Sequence, residues 1–599
     1  MKDGTPTKRA SEWLSALAAT LGRGDAAGAA ALFADDSYWR DLVSFSWNIM
    51  TAEGNPEVRQ LIERAVIPAK PSGWQLDGEA HEIDGVTEAW FRFETGVARG
   101  YGQLRLRDSK AWTLLTTMQE LKGHEEHKSV TRDLGAELSA YPGGRKTWLQ
   151  RRQDEEAELG FTTQPYVLIV GGGQGGIALG ARLRQLNVPT IIVEKNARPG
   201  DSWRKRYKSL FLHDPVWYDH LPYIPFPEHW PVLSPKDKIG DWLEMYTKVM
   251  ELNYWGSTEC RSARYDDSKK EWTVEVVRNG KPITLRSRQL VFATGAAGFP
   301  NMPSVPGMDT FKGDLQHSSQ HPGPDGYKGK KAVVIGSNTS SHDICVALWE
   351  EGADVTMVQR SSTLVGRISS LGPLTLDRLY SEAALKAGIT TDKADLIMAS
   401  TPYKILPAQH IPLYEELKRL DAEFYAQLEK VGFMLDFGDD GSGIYLKALR
   451  RGGGYYIDTG GSELLINGSV KLKSGVGIER IKASSVVLTD GSELPADLIV
   501  FATGYGSMHL WAAQIIGKAV ADKVGPVGGL GSGTRGDPGP WEGEMRNLWK
   551  PTRQEAFWCH GGNLHLSRHY SQFLALQLKA RMEGIPTPVF GTRPAHTLS

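Results

Sequence analysis

The sequence predicts an α/β protein with two Rossmann-like dinucleotide-binding domains preceded by a smaller α+β module. Three observations carry this expectation. From Tyr166 to Lys195 a strand (YVLIV), a glycine-rich turn (GGGQGG), a helix (IALGARLRQLN) and a second strand (TIIVEK) follow one another, which is how a dinucleotide-binding fold opens. The same grammar returns at 331–360 as KAVVIG, SNTSSHDICVALWEEG and ADVTMVQR. The first 130 residues instead set a helical pattern ahead of several strand-like runs, the order of an α+β module rather than an alternating parallel one.

In that first module EWLSALAATLGRGDAAGAAALF has helical periodicity, and EAWFRFET, GYGQLRLR and AWTLLTTMQEL read as strands. A curved antiparallel sheet wrapped by helices is expected. The segment LFADDSYWRDLVSFSW with its following strands resembles the NTF2-like or SnoaL-like cone domains. Asp35, Asp36 and Arg40 are candidates to line a ligand pocket there, weighed against solvated loop charges, the favoured reading. KTWLQRRQDEEAELGFTTQP then reads as a linker helix ahead of Pro165. The expected division is 1–150 for the NTF2-like domain with its linker helix, 151–330 for the first part of the first dinucleotide-binding domain, 331–490 for the second dinucleotide-binding domain with insertions, and 491–599 for a return to the first.

The chain has 69 Lys and Arg against 70 Asp and Glu, a net charge of −1. That balance excludes the strong overall basicity expected if nucleic acid or an anionic membrane were the main partner. With 40% hydrophobic and 23% charged residues the composition is that of a globular chain, not a disordered one. Cys260, Cys345 and Cys559 lie far apart, so no C-x-x-C redox pair, cysteine zinc cluster or disulfide framework is expected. The N-terminus has no apolar signal region and no apolar run reaches membrane-spanning length, so a cytoplasmic protein without a membrane span is expected. His124 and His127 are too close for an H-E-x-x-H site, and His565 and His569 share a helical face without a third ligand, so no metal is expected.

Gly171, Gly173 and Gly176 form G-x-G-x-x-G. The first allows the tight turn, the second lets the backbone approach a pyrophosphate at the start of a helix opened by Gln174, and the third brings helix and strand together. Glu194 ends the second strand at the roughly 20-residue offset where a carboxylate accepts from a ribose 2′-hydroxyl. Lys195 follows it. A carboxylate repels a 2′-phosphate, so this first site prefers FAD or NAD over NADP.

The second copy departs from this pattern. Gly336 is followed by Ser337, Asn338, Thr339, Ser340 and Ser341, so Asn takes the second glycine's place and Ser the third's. Asn tolerates left-handed geometry and Ser is small, so the turn remains feasible. Where the first copy has Glu194, the second has Arg360 and Ser361, a guanidinium and a hydroxyl suited to the 2′-phosphate of NADPH. FAD in the first site and NADPH in the second is the expected division.

Between the copies FKGDLQHSSQHP spaces Phe311, Gly313 and His317 as F-x-G-x-x-x-H. With the first fingerprint and FATGY at 501–505, this makes the chain resemble the class B flavin-dependent monooxygenases, which include flavin-containing monooxygenases, Baeyer-Villiger monooxygenases and the plant YUCCA enzymes. SLFLHDPVWYDHLPYIPFPEHWP and YYIDTGGSELL are most similar to the YUCCA group. The linker motif ends in His321-Pro322, unlike either the N-oxygenating or the Baeyer-Villiger version. The resemblance implies flavin contacts at Trp203 and Arg204 and cofactor-facing turns at Thr294-Gly295 and Thr503-Gly504. For His317 it leaves open a mechanistic role and a hinge role.

The resemblance further implies that NADPH reduces FAD and that O₂ is captured as a C4a-(hydro)peroxyflavin. The substrate is then a small organic carbonyl or a nitrogen or sulfur compound, with 2-oxo acids such as indole-3-pyruvate among the candidates. Two alternatives stay open: an FAD-dependent NADPH reductase of a small acceptor, and a flavin-binding partner protein without turnover. For the N-terminal module an oligomerisation or scaffold role is favoured over a second active site, and a homodimer formed through it is one arrangement it admits.

Overall fold

The computed structural model describes residues 4–136, 144–295 and 298–592. The chain begins with a helix, Pro6–Gly22, whose first turn is capped by the Thr5 hydroxyl accepting from the Lys8 amide. Seven strands follow in one sheet. Its order runs Ile49–Glu53, Phe33–Leu42, Lys110–Leu121, Ala98–Arg107, Val86–Glu94 and Ser72–Leu76, with His81–Ile83 also on Val86–Glu94. The three runs expected as strands fall on the long neighbours Val86–Glu94, Ala98–Arg107 and Lys110–Leu121, with only Thr95 past the end of the first. The sheet is not purely antiparallel, however, because Phe33–Leu42 pairs parallel with Lys110–Leu121. This first strand of the module meets its last, and the pairing lies beyond the reach of any local pattern.

Trp13, Phe33, Trp39, Phe45, Phe91 and Phe93 fill the module with an aromatic core of its own. Leu42, Ile49, Leu115, Met118 and Leu121, on the strands nearest the rest of the chain, belong instead to the same continuous core as the first nucleotide-binding unit. The linker helix forms as expected, at Trp148–Glu158, with a capping box between Thr147 and Gln150. Arg152 ties it to the Asn253 side chain and the Leu252 carbonyl.

The first nucleotide-binding unit is a five-stranded parallel sheet in the order Tyr254–Trp255, Thr190–Val193, Val167–Val170, Gln289–Phe292 and Phe557–Cys559. The helix Gln174–Gln185 and the antiparallel strands Thr258–Asp266, Glu271–Arg278 and Lys281–Ser287 pack against it, which accounts for its mostly apolar, buried strands. The second is also parallel, in the order Asp314–His317, Leu498–Phe501, Lys331–Ile335, Asp354–Gln359 and Lys471–Ser474. This sheet takes strands from both sides of the expected boundaries at 330/331 and 490/491, since the parallel register draws Asp314–His317 and Leu498–Phe501 beside Lys331–Ile335. Six helices between Ile368 and Arg451 form the insertion into this unit. The closing helix Leu564–Met582 packs on Gln174–Gln185. Among the described residues no helix is long and apolar enough to cross a membrane.

Candidate functional site

Both nucleotide turns are built against an alanine carbonyl. Gly171 has φ +110°, and a β-carbon added there would sit 2.4 Å from the Ala293 oxygen. Gly336 has φ +127°, and its β-carbon would sit 2.4 Å from the Ala502 oxygen. Only glycine meets both demands. The two alanines open the two ATG turns, which makes the halves structural repeats. The third glycine is equally constrained, since a β-carbon on Gly176 would lie 2.0 Å from the Gly171 carbonyl oxygen.

At Gly173 the nearest neighbour of an added β-carbon is the Ser202 hydroxyl, 3.8 Å away. Open space over the start of the twelve-residue helix Gln174–Gln185 is what a pyrophosphate needs. Glu194 is buried at the end of its strand, where one carboxylate oxygen accepts from the Gly172 amide at 2.8 Å and the other from the backbone and side chain of Asn196. A carboxylate has about four lone-pair positions, so room remains for a ribose hydroxyl. The Thr294 hydroxyl is buried without a protein partner, a polar group suited to a flavin nucleotide. These residues fit FAD.

In the second turn Asn338 has φ −97° and ψ −170°, close to the −77° and −169° of Gly173. Left-handed geometry is therefore not what admits Asn here. Extended backbone is open to any residue, and the Asn338 side chain accepts from the Thr363 hydroxyl, which in turn pairs with Ser337. Thr339 and Ser340 open the helix Thr339–Glu350. The buried Ser341 hydroxyl has no protein partner. Arg360 and Ser361 are exposed at the end of Asp354–Gln359, and among the described residues Arg360 has no carboxylate within salt-bridge distance. A free guanidinium beside an open turn fits NADPH.

Other expected contacts fall elsewhere. Arg204 binds the carboxylates of Asp201, Asp241 and Glu244, fastening its turn to the helix Lys236–Val249 rather than facing a nucleotide. Trp203 packs partly buried on the core of the first unit, and Lys195 is exposed, 5.6 Å above the Trp511 ring. Thr503 donates to the Asn301 carbonyl, bracing the second ATG turn, in which Gly504 has φ +80°; Gly295, its counterpart in the first, has φ +91°.

His317 is 1% exposed. Its Nε2 donates to the Gly504 carbonyl at 3.1 Å, and its Nδ1 accepts from the Ser319 amide and lies 2.9 Å from the Ser319 hydroxyl. Both ring nitrogens are spent on tying the linker strand to the ATG turn, and burial lowers the imidazole's pKa. The hinge reading is the one this geometry carries. His321 is buried too, pushed down to about 4, with Nδ1 on the Gln316 side chain.

Four residues not foreseen complete the first site. His560, Gly561, Gly562 and Asn563 form the turn into Leu564–Met582, where the Asn563 side chain caps the helix. A β-carbon on Gly175 would lie 3.3 Å from the Gly561 α-carbon, and Gln174 donates to the Gly562 carbonyl. The glycine pair and capping Asn ahead of a helical run were the available signal. Asn563 also donates to the Tyr218 hydroxyl at 3.3 Å. The two units are bridged by Tyr207, which donates to Asp343 at 2.7 Å; burial pushes that carboxyl up to about 6.

His565 and His569 lie buried in the closing helix beside Asp395, which pairs with Arg568 through two hydrogen bonds. Asp35 and Asp36 are exposed as expected, but Arg40 is not a loop charge. It is 1% exposed in its strand and forms a two-point pair with Glu544 at 2.7 Å. Among the described residues no cluster of three or more potential ligands is placed to hold a metal.

The profile of the Pyridine nucleotide-disulphide oxidoreductase family matches residues 168–398. A probable indole-3-pyruvate monooxygenase of Arabidopsis thaliana, YUCCA10, is 28% identical over 346 residues, 57% of this chain and 82% of its own length. The indole-3-pyruvate monooxygenase YUCCA1 of Oryza sativa subsp. japonica is 29% identical over 347 residues, 58% of this chain and 78% of its own. Among solved structures, cyclohexanone monooxygenase with bound ε-caprolactone superposes with a TM-score of 0.50 at 18% identity, over 70% of this chain and 88% of that one. OTEMO in complex with FAD and NADP gives 0.50 at 18%, over 71% and 86%.

Proposed function

From the chain's kinship with the flavin-dependent monooxygenase family of oxidoreductases, we propose that it is an NADPH- and O₂-dependent FAD monooxygenase of a small organic carbonyl, nitrogen or sulfur compound. The observation that carries this reading is the pair of matched turns with opposite endings, a buried carboxylate at Glu194 and a free guanidinium at Arg360. Gly171, Gly173, Gln174, Gly176 and Glu194 hold FAD, with Thr294 and the turn at 560–563 beside it. Gly336 to Ser340, Arg360 and Ser361 hold NADPH. Bound FAD supplies the electron-carrying and oxygen-activating chemistry that no side chain here provides.

The protein's part is to bind, orient and exclude water. Tyr207 on Asp343 and His317 on Gly504 hold the two nucleotide units in register. Arg204 keeps the Gly200–Arg204 turn against its neighbouring helix. The relatives' names make an indole-3-pyruvate-like 2-oxo acid one substrate to try first. The seven-stranded sheet with helices on one side supports the NTF2-like cone reading of the N-terminal module, and a homodimer through it is part of the proposal. A dithiol reductase is disfavoured, because Cys345 and Cys559 are buried and far from Cys260 in sequence.

The test is NADPH and O₂ consumption by the FAD-loaded protein across carbonyl, amine and sulfide panels, with labelled O₂. One labelled oxygen atom in a product supports the proposal. NADPH oxidation that reduces an added acceptor without incorporation overturns it in favour of a reductase.

A further inference from the structure

We infer that Arg40, in the N-terminal module, is a positioning residue for the flavin site, so that this module is part of the cofactor's support rather than an appended unit. The inference rests on FAD occupying the first turn. Arg40 reaches out of its own sheet to three separate segments. Its guanidinium pairs through two nitrogens with Glu544, donates to the Ala399 carbonyl at 2.7 Å and donates to the Tyr570 hydroxyl at 3.0 Å. Arg40 and Glu544 are each 1% exposed. A buried pair of this kind costs desolvation on both sides and is weak support for stability as such; its use is to specify geometry.

The geometry it specifies leads to the cofactor. Tyr570 stacks on Trp549 with ring centroids 3.8 Å apart and planes 6° apart. The Trp549 indole N–H donates to the Gly561 carbonyl at 3.0 Å. Gly561 in turn lies against Gly175 of the glycine-rich turn. Arg40, Tyr570, Trp549 and Gly561 thus form one contiguous series of packed or hydrogen-bonded groups, the kind of connection through which a displacement at one end is felt at the other. Thr51, from the same module, supports the series by donating to Glu544 at 2.7 Å. Another contact of the module bypasses it: Lys393 of the insertion sits 3.3 Å above the Trp90 ring and donates to Tyr101.

The experiment compares full-length chains carrying Arg40→Met with Glu544→Met, Trp549→Phe, and Lys393→Met. The double replacement removes both charges together, so no unpaired charge is left buried. Trp549→Phe keeps one aromatic ring for Tyr570 but removes the N–H together with the pyrrole ring of the buried indole, which tests the series even if the double variant fails to fold. Far-UV circular dichroism reports folding; flavin fluorescence titration and the visible circular dichroism of bound FAD report the site. The expected result is FAD binding weakened by about tenfold or more in the first two variants, with an altered flavin spectrum, and FAD binding unchanged in Lys393→Met. Folded Trp549→Phe that holds FAD within about twofold of the parent with an unchanged spectrum overturns the inference, as does equal weakening in Lys393→Met, which a merely structural role of the module would give. A parent chain that takes up no flavin overturns the FAD reading as well, and so is distinguishable from failure of the inference alone.

Discussion

Glu194 and Arg360 occupy the same place in two copies of one architecture, each at the end of the second strand beside a glycine turn that abuts an alanine carbonyl. The carboxylate is buried and tied to the Gly172 amide; the guanidinium is exposed and free of carboxylates among the described residues. On the proposed assignment of FAD to the first turn and NADPH to the second, nucleotide preference rests on that difference. Arg360→Ala is expected to raise the KM for NADPH by about tenfold to a hundredfold while leaving that for NADH nearly unchanged, since only NADPH carries the 2′-phosphate. Steady-state flavin reduction with both nucleotides checks this.

Gly176→Ala places a β-carbon 2.0 Å from the Gly171 carbonyl oxygen. Backbone on both sides leaves little to give, so the turn must open. A folded protein purified without FAD is the expected outcome, read from its visible absorbance.

His317→Ala removes one of two donors to the Gly504 carbonyl, which keeps the Asn301 amide, and a stability loss of about 1 kcal/mol for the lost hydrogen bond is expected. NADPH-driven flavin reduction should slow as the two units lose register. Because burial lowers the His317 pKa, the ring is neutral near neutral pH. Any break in the rate profile between about pH 6 and 8 should persist in the variant; a break that disappears would mark His317 as an acid or base instead.

Acid stability follows from the buried imidazoles. Burial pushes His213, His220, His342 and His565 down to about 4 and His560 and His569 to about 3. Their folded pKa values lie below the unfolded value near 6.5, so their contribution is intact above that value and lost as pH falls. Each should cost about 1 kcal/mol between pH 7 and 5.5. Asp343, raised to about 6, acts in the opposite direction, stabilising the fold at low pH and losing that contribution as pH rises through 6. The histidines outnumber it. Urea midpoints should therefore fall steeply from pH 7 to 5.5, and Asp343→Asn should make that fall steeper.

What was legible in the sequence was local. The strand, turn and helix around Gly171, within Val167–Gln185, and the linker helix ahead of Pro165 are short contiguous runs, where periodicity and turn chemistry act. Roles set by distant partners were not legible. His317 is fixed by Gly504, 187 positions on, and Arg40 by Glu544, 504 positions on. A lone arginine in a polar run reads as a surface charge until its partner is seen. Arg204, matched by motif to the flavin, faces carboxylates from the helix Lys236–Val249 that no motif includes.

The measurement that tests the central claim most directly is anaerobic reduction of the FAD-loaded protein by NADPH, followed by rapid mixing with oxygenated buffer while the flavin spectrum is recorded. The account predicts a long-lived absorbance distinct from both oxidised and reduced flavin, whose decay quickens when an oxygen-accepting substrate is present. A direct return from reduced to oxidised flavin, at a rate indifferent to every substrate tried, would contradict it.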